Sequence, residues 1–157
     1  MMRRRRADRR RILPDPKFKS TLIAKFINVM MKSGKRSTAE RIFYEALDIT
    51  TQKVETPNAV KIVEKALANT RPLLMLKSRR VGGATYQIPV EVTEDKGILI
   101  AMRWLREFAR SRKGRGMQER LAEELREAFQ GTGPSVKKRD EVHRMAEANR
   151  AFSHYRW

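Results

Sequence analysis

Lysine and arginine are the residues best placed to do chemistry in this chain, and the chemistry they do is anion binding. There are 36 of them against 18 aspartates and glutamates, a net charge of +18 over 157 residues. An excess of that size repels itself in a compact fold, so it implies a polyanionic partner in the working state. Arginine forks match phosphate oxygens two at a time, and lysine adds a mobile point charge.

Groups suited to covalent or metal chemistry are sparse. There is no cysteine, which excludes a disulfide framework, a thiolate metal site and a cysteine nucleophile, and fits a reducing compartment. His143 and His154 have no ligand set beside them. Asp140 and Glu141 read as helix N-terminal acids. Gly34-Lys35-Arg36-Ser37 superficially resembles a phosphate-binding loop. However, Val29 stands where the first glycine is needed, the serine comes one place late, and the segment joins two helices. No Ser/His/Asp grouping stands out. The expectation is a binding protein with no catalytic residues, no metal and no cofactor.

The elements that position the cations follow from periodicity. Residues 3–11 carry seven arginines (Arg3, Arg4, Arg5, Arg6, Arg9, Arg10, Arg11) against Asp8, a net of +6. This arm has no apolar period and cannot fold by itself; it is read as ordering on nucleic acid. Leu13-Pro14-Asp15-Pro16 holds the chain extended, so the arm spans 1–16. Apolar residues from Phe18 to Met31 predict a first helix over Lys17–Lys32, ended by Ser33-Gly34. Lys35 and Arg36 lie in the connection. Ser37-x-x-Glu40 matches a capping box opening the second helix, and Thr56-Pro57 places a cap and an N1 proline before the third. Pro72 stops that helix.

Residues 71–92 do not read as helix. Leu73–Arg79 and Ala84–Val92 are β-compatible runs around Arg80-Val81-Gly82-Gly83, and paired glycines supply the positive φ of a hairpin turn. Tyr86, Ile88, Val90 and Val92 alternate with Thr85, Gln87, Pro89 and Glu91. The outgoing run is apolar at its base and basic at its tip (Lys77, Arg79, Arg80), and no acid lies between Arg71 and Val90. Pro89 suits an edge strand. The reading is an isolated two-stranded arm reaching toward an anion.

Thr93-Glu94-Asp95 caps a fourth helix, with Trp104 packing beside its stripe. Residues 103–115 hold six basic residues against Glu107, a net of +5, ending in Arg112, Lys113 and Arg115. A fifth helix, Met117–Gln130, carries Glu119, Glu123, Glu124 and Glu127 and is expected to face away from the polyanion. Gly131-Thr132-Gly133-Pro134 reads as a break. Lys137-Lys138-Arg139 is a further cluster before a last helix, Asp140–Ala151, whose apolar stripe is thin. The tail, Phe152 to Trp157, serves equally for stacking on bases or for tacking the terminus to the core.

This order of features resembles the small-subunit ribosomal protein seven family in its bacterial form, through nearly the whole chain. Three segments carry the resemblance: Phe26-Ile27 with Gly34-Lys35-Arg36, Ile42-Phe43 and Ala46; the run Ser78–Val90; and Met145–Phe152 leading to the terminus. Met1-Met2 and the loop Ser111–Gly116 depart from the family pattern. The resemblance implies one domain over 1–157: a mainly α bundle of six helices, with a protruding two-stranded antiparallel β-ribbon (71–92) between the third and fourth and a C-terminal helix and tail over 140–157. It implies a cytoplasmic, ribosomal protein that binds 16S-type ribosomal RNA and nucleates assembly of the subunit head. It further implies a place near exit-site tRNA and mRNA, contacts with small-subunit proteins nine and eleven, no membrane and no homo-oligomer. On this reading the RNA contacts are the seven arm arginines with Lys35, Arg36, Arg71, Lys77, Arg112, Lys113, Arg115, Lys137 and Lys138. Arg79, Arg80, Val81, Gly82 and Gly83 lie near the exit site. Arg144, Arg150, Tyr155 and Trp157 serve protein contacts or the tail.

Two other readings compete. A DNA-bending architectural protein can carry a basic β-arm with an apolar wedge, here Val81, but it needs no dispersed basic clusters on its body. An assembly scaffold could bind a protein through the last helix. No helix pairs a cationic face with a broad exposed apolar one, as a membrane-surface role would require.

Overall fold

Apolar residues at helical spacing build most of the molecule, and the computed structural model describes residues 11–54, 58–114 and 116–155. The elements are α1 (Thr21–Met30), α2 (Arg36–Val54), α3 (Ala59–Thr70), β1 (Leu74–Val81), β2 (Ala84–Glu91), α4 (Glu94–Ser111), α5 (Met117–Phe129), α6 (Gly133–Ala148) and a terminal 3-10 helix (Arg150–Tyr155). The mainly helical bundle with a two-stranded antiparallel ribbon between α3 and α4 is the architecture the sequence pointed to.

α5 is the hub. It packs on α2, α3, α4 and α6. Leu121, Ala122, Leu125 and Ala128 are fully buried on it, and the facing helices contribute Phe43, Leu47, Leu67, Met102 and Leu105 to the same core. Its small residues admit close neighbours: the buried Thr50 hydroxyl donates to Ala46 O in its own helix and also reaches Ala122 O at 3.3 Å. Phe26 of α1 meets Phe43 of α2 with ring centroids 5.0 Å apart, a tilted geometry favoured by ring quadrupoles. α5 is therefore central to the core, with Leu121, Leu125 and Ala128 on its buried face.

Element boundaries differ from the sequence reading for local reasons. α1 starts at Thr21, because Lys19 takes a positive φ and Ser20 is the N-cap, its hydroxyl accepting from Ile23 N. α2 starts at Arg36, which places Ser37 inside the helix; Glu40 receives the Arg36 guanidinium at 2.7 Å. Asn58 caps α3, accepting from the Val60 and Lys61 amides, while Thr56 and Pro57 lie outside the described residues. α6 begins at Gly133, with Pro134 in its first turn, where a missing N–H costs nothing. Lys137, Lys138 and Arg139 are thus helical, and the last helix is a turn and more longer than Asp140–Ala151.

The ribbon pairs Val81 with Ala84 across a two-residue turn, and the register runs back to Leu74 with Glu91. Gly82 and Gly83 have φ of 57° and 89°, the doubly positive turn that matches strand twist. At the root, Val92 N donates to Leu73 O. Gly97 lets α4 start against this root, since a Cβ there would sit 2.8 Å from Arg71 Cγ and 3.2 Å from Pro72 O. The ribbon is not isolated: it packs on α6 and on the terminal 3-10 helix.

Candidate nucleic-acid interface

The cations divide into those directed at solvent and those the fold uses for itself. Lys35 is exposed in the tight connection between α1 and α2, where Ser33 and Gly34 both take positive φ, and exposed Arg36 opens α2. The hydrogen bond to Glu40 raises the Arg36 pKa. Lys32 and Lys35 share a groove of about 160 Å³ with Arg110 of α4, so the connection is joined by a cation from a distant segment. Arg11 is exposed; Arg3, Arg4, Arg5, Arg6, Arg9, Arg10, Arg115 and Trp157 lie outside the described residues.

On the ribbon, Lys77, Arg79 and Arg80 are exposed and Val81 is half-buried beside the glycine turn. The register separates two faces. Lys77, Arg79, Tyr86 and Ile88 share one face. Ser78, Arg80, Thr85 and Gln87 share the other, all exposed, with Gln87 donating to Ser78 Oγ at 3.1 Å. Arg71, at the root, is ion-paired with Glu94 at 2.6 Å.

Lys137 and Lys138 line a groove of about 480 Å³ between α4 and α6, together with Phe108, Asp140, Glu141 and Arg144. Lys138 is paired with Glu141 at 2.8 Å, one helical turn on. Arg150 is paired with Glu147 at 3.2 Å.

Arg112 is turned inward. Its guanidinium donates to Glu124 Oε2 at 2.9 and 2.7 Å and to Glu127 Oε2 at 2.5 Å. Burial works against its charge, but the hydrogen bonds it donates to Glu127 and Glu124 outweigh it and raise the pKa. Glu124 is completely buried. Its other oxygen accepts from the Ser135 hydroxyl and, at 3.3 Å, from Ser135 N, an otherwise unpaired donor in the first turn of α6. One carboxylate thus ties the 112–116 loop, α5 and the start of α6 together. Among the described residues of this loop, Lys113 is an exposed cation.

Other arginines act as helix caps. Arg106 and Arg110 of α4 donate to Val29 O and Met30 O, at the C-terminal end of α1. Arg120 donates to Arg110 O and Arg112 O where α4 ends. Arg139 reaches Asn69 O at the end of α3. These uses have no signature in sequence, since the partner is a backbone carbonyl far along the chain.

Two further residues escaped the sequence reading. Asp15, only 1% exposed, accepts from the Lys17 and Phe18 amides and from the Tyr44 hydroxyl at 2.7 Å. The segment expected to be a plain spacer is therefore an anchor that fixes where the arm leaves the bundle. Burial, then the hydrogen bond to Asp15, pushes the Tyr44 pKa up to about 12. His143 Nε2 accepts from Leu73 N at 2.9 Å and holds the ribbon root to α6. Burial, then the Arg139 charge, pulls its pKa below the ordinary histidine value, against a smaller opposing pull from Asp140. Among the described residues there is no group of three or more acidic or histidine side chains that could hold a metal ion, and no helix long and apolar enough to cross a membrane.

The arrangement is a helical bundle offering exposed cations on several separate elements. The chain is 57% identical to small ribosomal subunit protein uS7 of Hahella chejuensis, 54% identical to that of Acidithiobacillus ferrooxidans and 53% identical to that of Pelobacter propionicus. Each alignment spans 157 residues, all of both chains. The profile of Ribosomal protein S7p/S5e matches residues 2–150, and the chain belongs to that family of ribosomal proteins.

Proposed function

We propose that this ribosomal protein binds 16S-type ribosomal RNA directly and nucleates assembly of the small-subunit head, with its ribbon beside exit-site tRNA and mRNA. The observation that carries the reading is the spread of exposed cations over unconnected elements: Lys35 between α1 and α2, Arg80 at the ribbon tip, Lys113 after α4 and Lys137 on α6. Duplex RNA hides its base edges in a deep, narrow groove, so folded RNA is gripped by phosphate, 2′-OH and junction shape. A body with cations at several separated points suits that target better than it suits a single bent duplex. The arm adds affinity with little selectivity. Small-subunit proteins nine and eleven are the proposed protein neighbours of the C-terminal region.

The test is a competition footprint. The full chain is bound to a 3′-domain ribosomal RNA fragment with excess bulk tRNA and excess duplex DNA. The expected result is protection that survives both competitors and maps to a compact multi-helix junction. Protection erased equally by duplex DNA would overturn the proposal in favour of an architectural DNA-binding protein.

A further inference from the structure

The terminal 3-10 helix has no buried residue of its own, so it adds nothing to the bundle core. Its aromatic side chains meet the ribbon instead. Tyr86 of β2 lies with its ring centroid 5.2 Å from Phe152 and 5.4 Å from Tyr155, the second pair stacked at 29°. Arg79, the cross-strand partner of Tyr86 on the same face, donates through Nη1 to Tyr155 O at 2.5 Å. His154 in turn lies against Tyr155 at 4.0 Å and bonds Ala151 O. Nearer the root, Ile88 on this face is completely buried and Leu73 N is held by His143.

We infer that the terminal 3-10 helix is a brace that sets how the ribbon is presented, with Tyr86 and Tyr155 as positioning residues. A two-stranded hairpin is marginal alone in water, and beyond Ile88 this one has support on one face only. The braced face carries Arg79 and Tyr86, which leaves Arg80, Ser78, Thr85 and Gln87 as the face open to a ligand. Because the brace and the ribbon share these contacts, a protein that grips the C-terminal turn and an RNA that grips the ribbon tip are energetically linked. That linkage is reciprocal. The positioning role stands on the contacts alone; its consequence for RNA rests on the proposed function.

Hydrogen exchange of the ribbon amides from Lys77 to Ile88 in the free full-length protein tests the brace without RNA. Tyr86→Ala and Tyr155→Ala should each speed exchange roughly 2- to 12-fold, the factor that ring pairs of this geometry contribute. The double variant should add little to Tyr86→Ala, and Tyr86→Phe should match the parent. A chain ending at Asn149 should speed exchange at least as much as Tyr155→Ala, because it also removes Phe152 and the carbonyl that holds Arg79; since none of residues 150–155 is itself buried, it decides the matter even if Tyr86→Ala fails to fold. Unchanged exchange in Tyr155→Ala and in the shortened chain would overturn the brace, as would fully additive single effects. Ribbon-tip protection in the footprint is read separately. Faster exchange with unaltered protection would keep the brace and remove only its consequence for RNA.

Discussion

Replacing Glu124 with alanine should destabilise the fold well beyond an ordinary surface change. The substitution strips the Arg112 fork of its principal acceptor and leaves the Ser135 hydroxyl and amide without one. Truncating one partner of a buried pair typically costs about 3–5 kcal/mol, because the other charge stays behind uncompensated. Arg112 is 24% exposed and keeps Glu127, which points to the lower end, about 3 kcal/mol. For a chain of this size that corresponds to a fall in Tm of roughly 6–12 °C. Glu124→Gln keeps the volume and one acceptor oxygen while losing the charge, so its fall should be clearly smaller. Thermal and urea unfolding followed by circular dichroism measure both. The difference should persist in high salt, since a buried pair is poorly screened. RNA protection near Lys113 and Lys137 should weaken before protection at the ribbon, because the loop and the first turn of α6 lose their shared tie. A loss below about 1 kcal/mol for Glu124→Ala would refute the assignment of Glu124 as a tie, and equal losses for the two variants would refute the share given to its acceptor oxygens, leaving the charge alone.

Binding should be strongly salt-dependent: if about eight phosphates are neutralised, the log–log slope of affinity against salt is roughly −6. A slope near −1 would refute a distributed grip, and deletion of residues 3–11 should weaken binding to all RNAs to a similar extent. Tyr44→Phe removes the hydroxyl from a buried carboxylate and should cost about 1.5–3 kcal/mol in unfolding experiments. The neutral phenol is favoured in the fold, so the parent's advantage is full below the ordinary tyrosine value of 10.0 and lost as pH rises toward about 12; a pH-independent difference from the Phe variant would contradict this. His143 accepts a hydrogen bond only when neutral at Nε2. Its contribution is therefore full above the ordinary value of 6.5 and lost as pH falls through the lower value it has in the fold. The protection factor of the Leu73 amide, the slowing of its exchange relative to an unstructured chain at the same pH, should fall on mild acidification in the parent and be already low, and flat with pH, in His143→Ala.

The helical stripes and the hairpin were legible because each is a local pattern. Tyr86, Ile88 and Val90 alternate, Gly82-Gly83 marks the turn, and Phe26, Ile27 and Met30 recur at helical spacing. What escaped depends on residues far apart in the chain. Glu124 falls at helical spacing with Leu121, Leu125 and Ala128, where Glu123 does not, but what a carboxylate does on that face shows only when Arg112 and Ser135 reach it. Asp15 sits between two prolines and looks like spacer until Tyr44, 29 residues on, reaches it. Pro134 has two readings, a break or a first-turn residue, and the carboxylate that favours the second is contributed by another helix. The cations were visible as a composition, but their division was not. Arg80 and Arg112 look equivalent in sequence, and the fold directs one outward and the other into a carboxylate pair.

The two-residue turn also makes the ribbon a ruler with coarse graduations. With Val81 opposite Ala84 and successive side chains pointing to opposite sides, one residue added to each strand lengthens the reach by about 3.4 Å but carries the tip to the wrong side. Two added to each strand restore the facing, at about 6.8 Å. Length variants that keep both the brace at Tyr86 and the outward aim of the turn are thus confined to steps of four inserted residues. Such a segment would drift little in length, and a designed series built on that step would measure how far away its target lies.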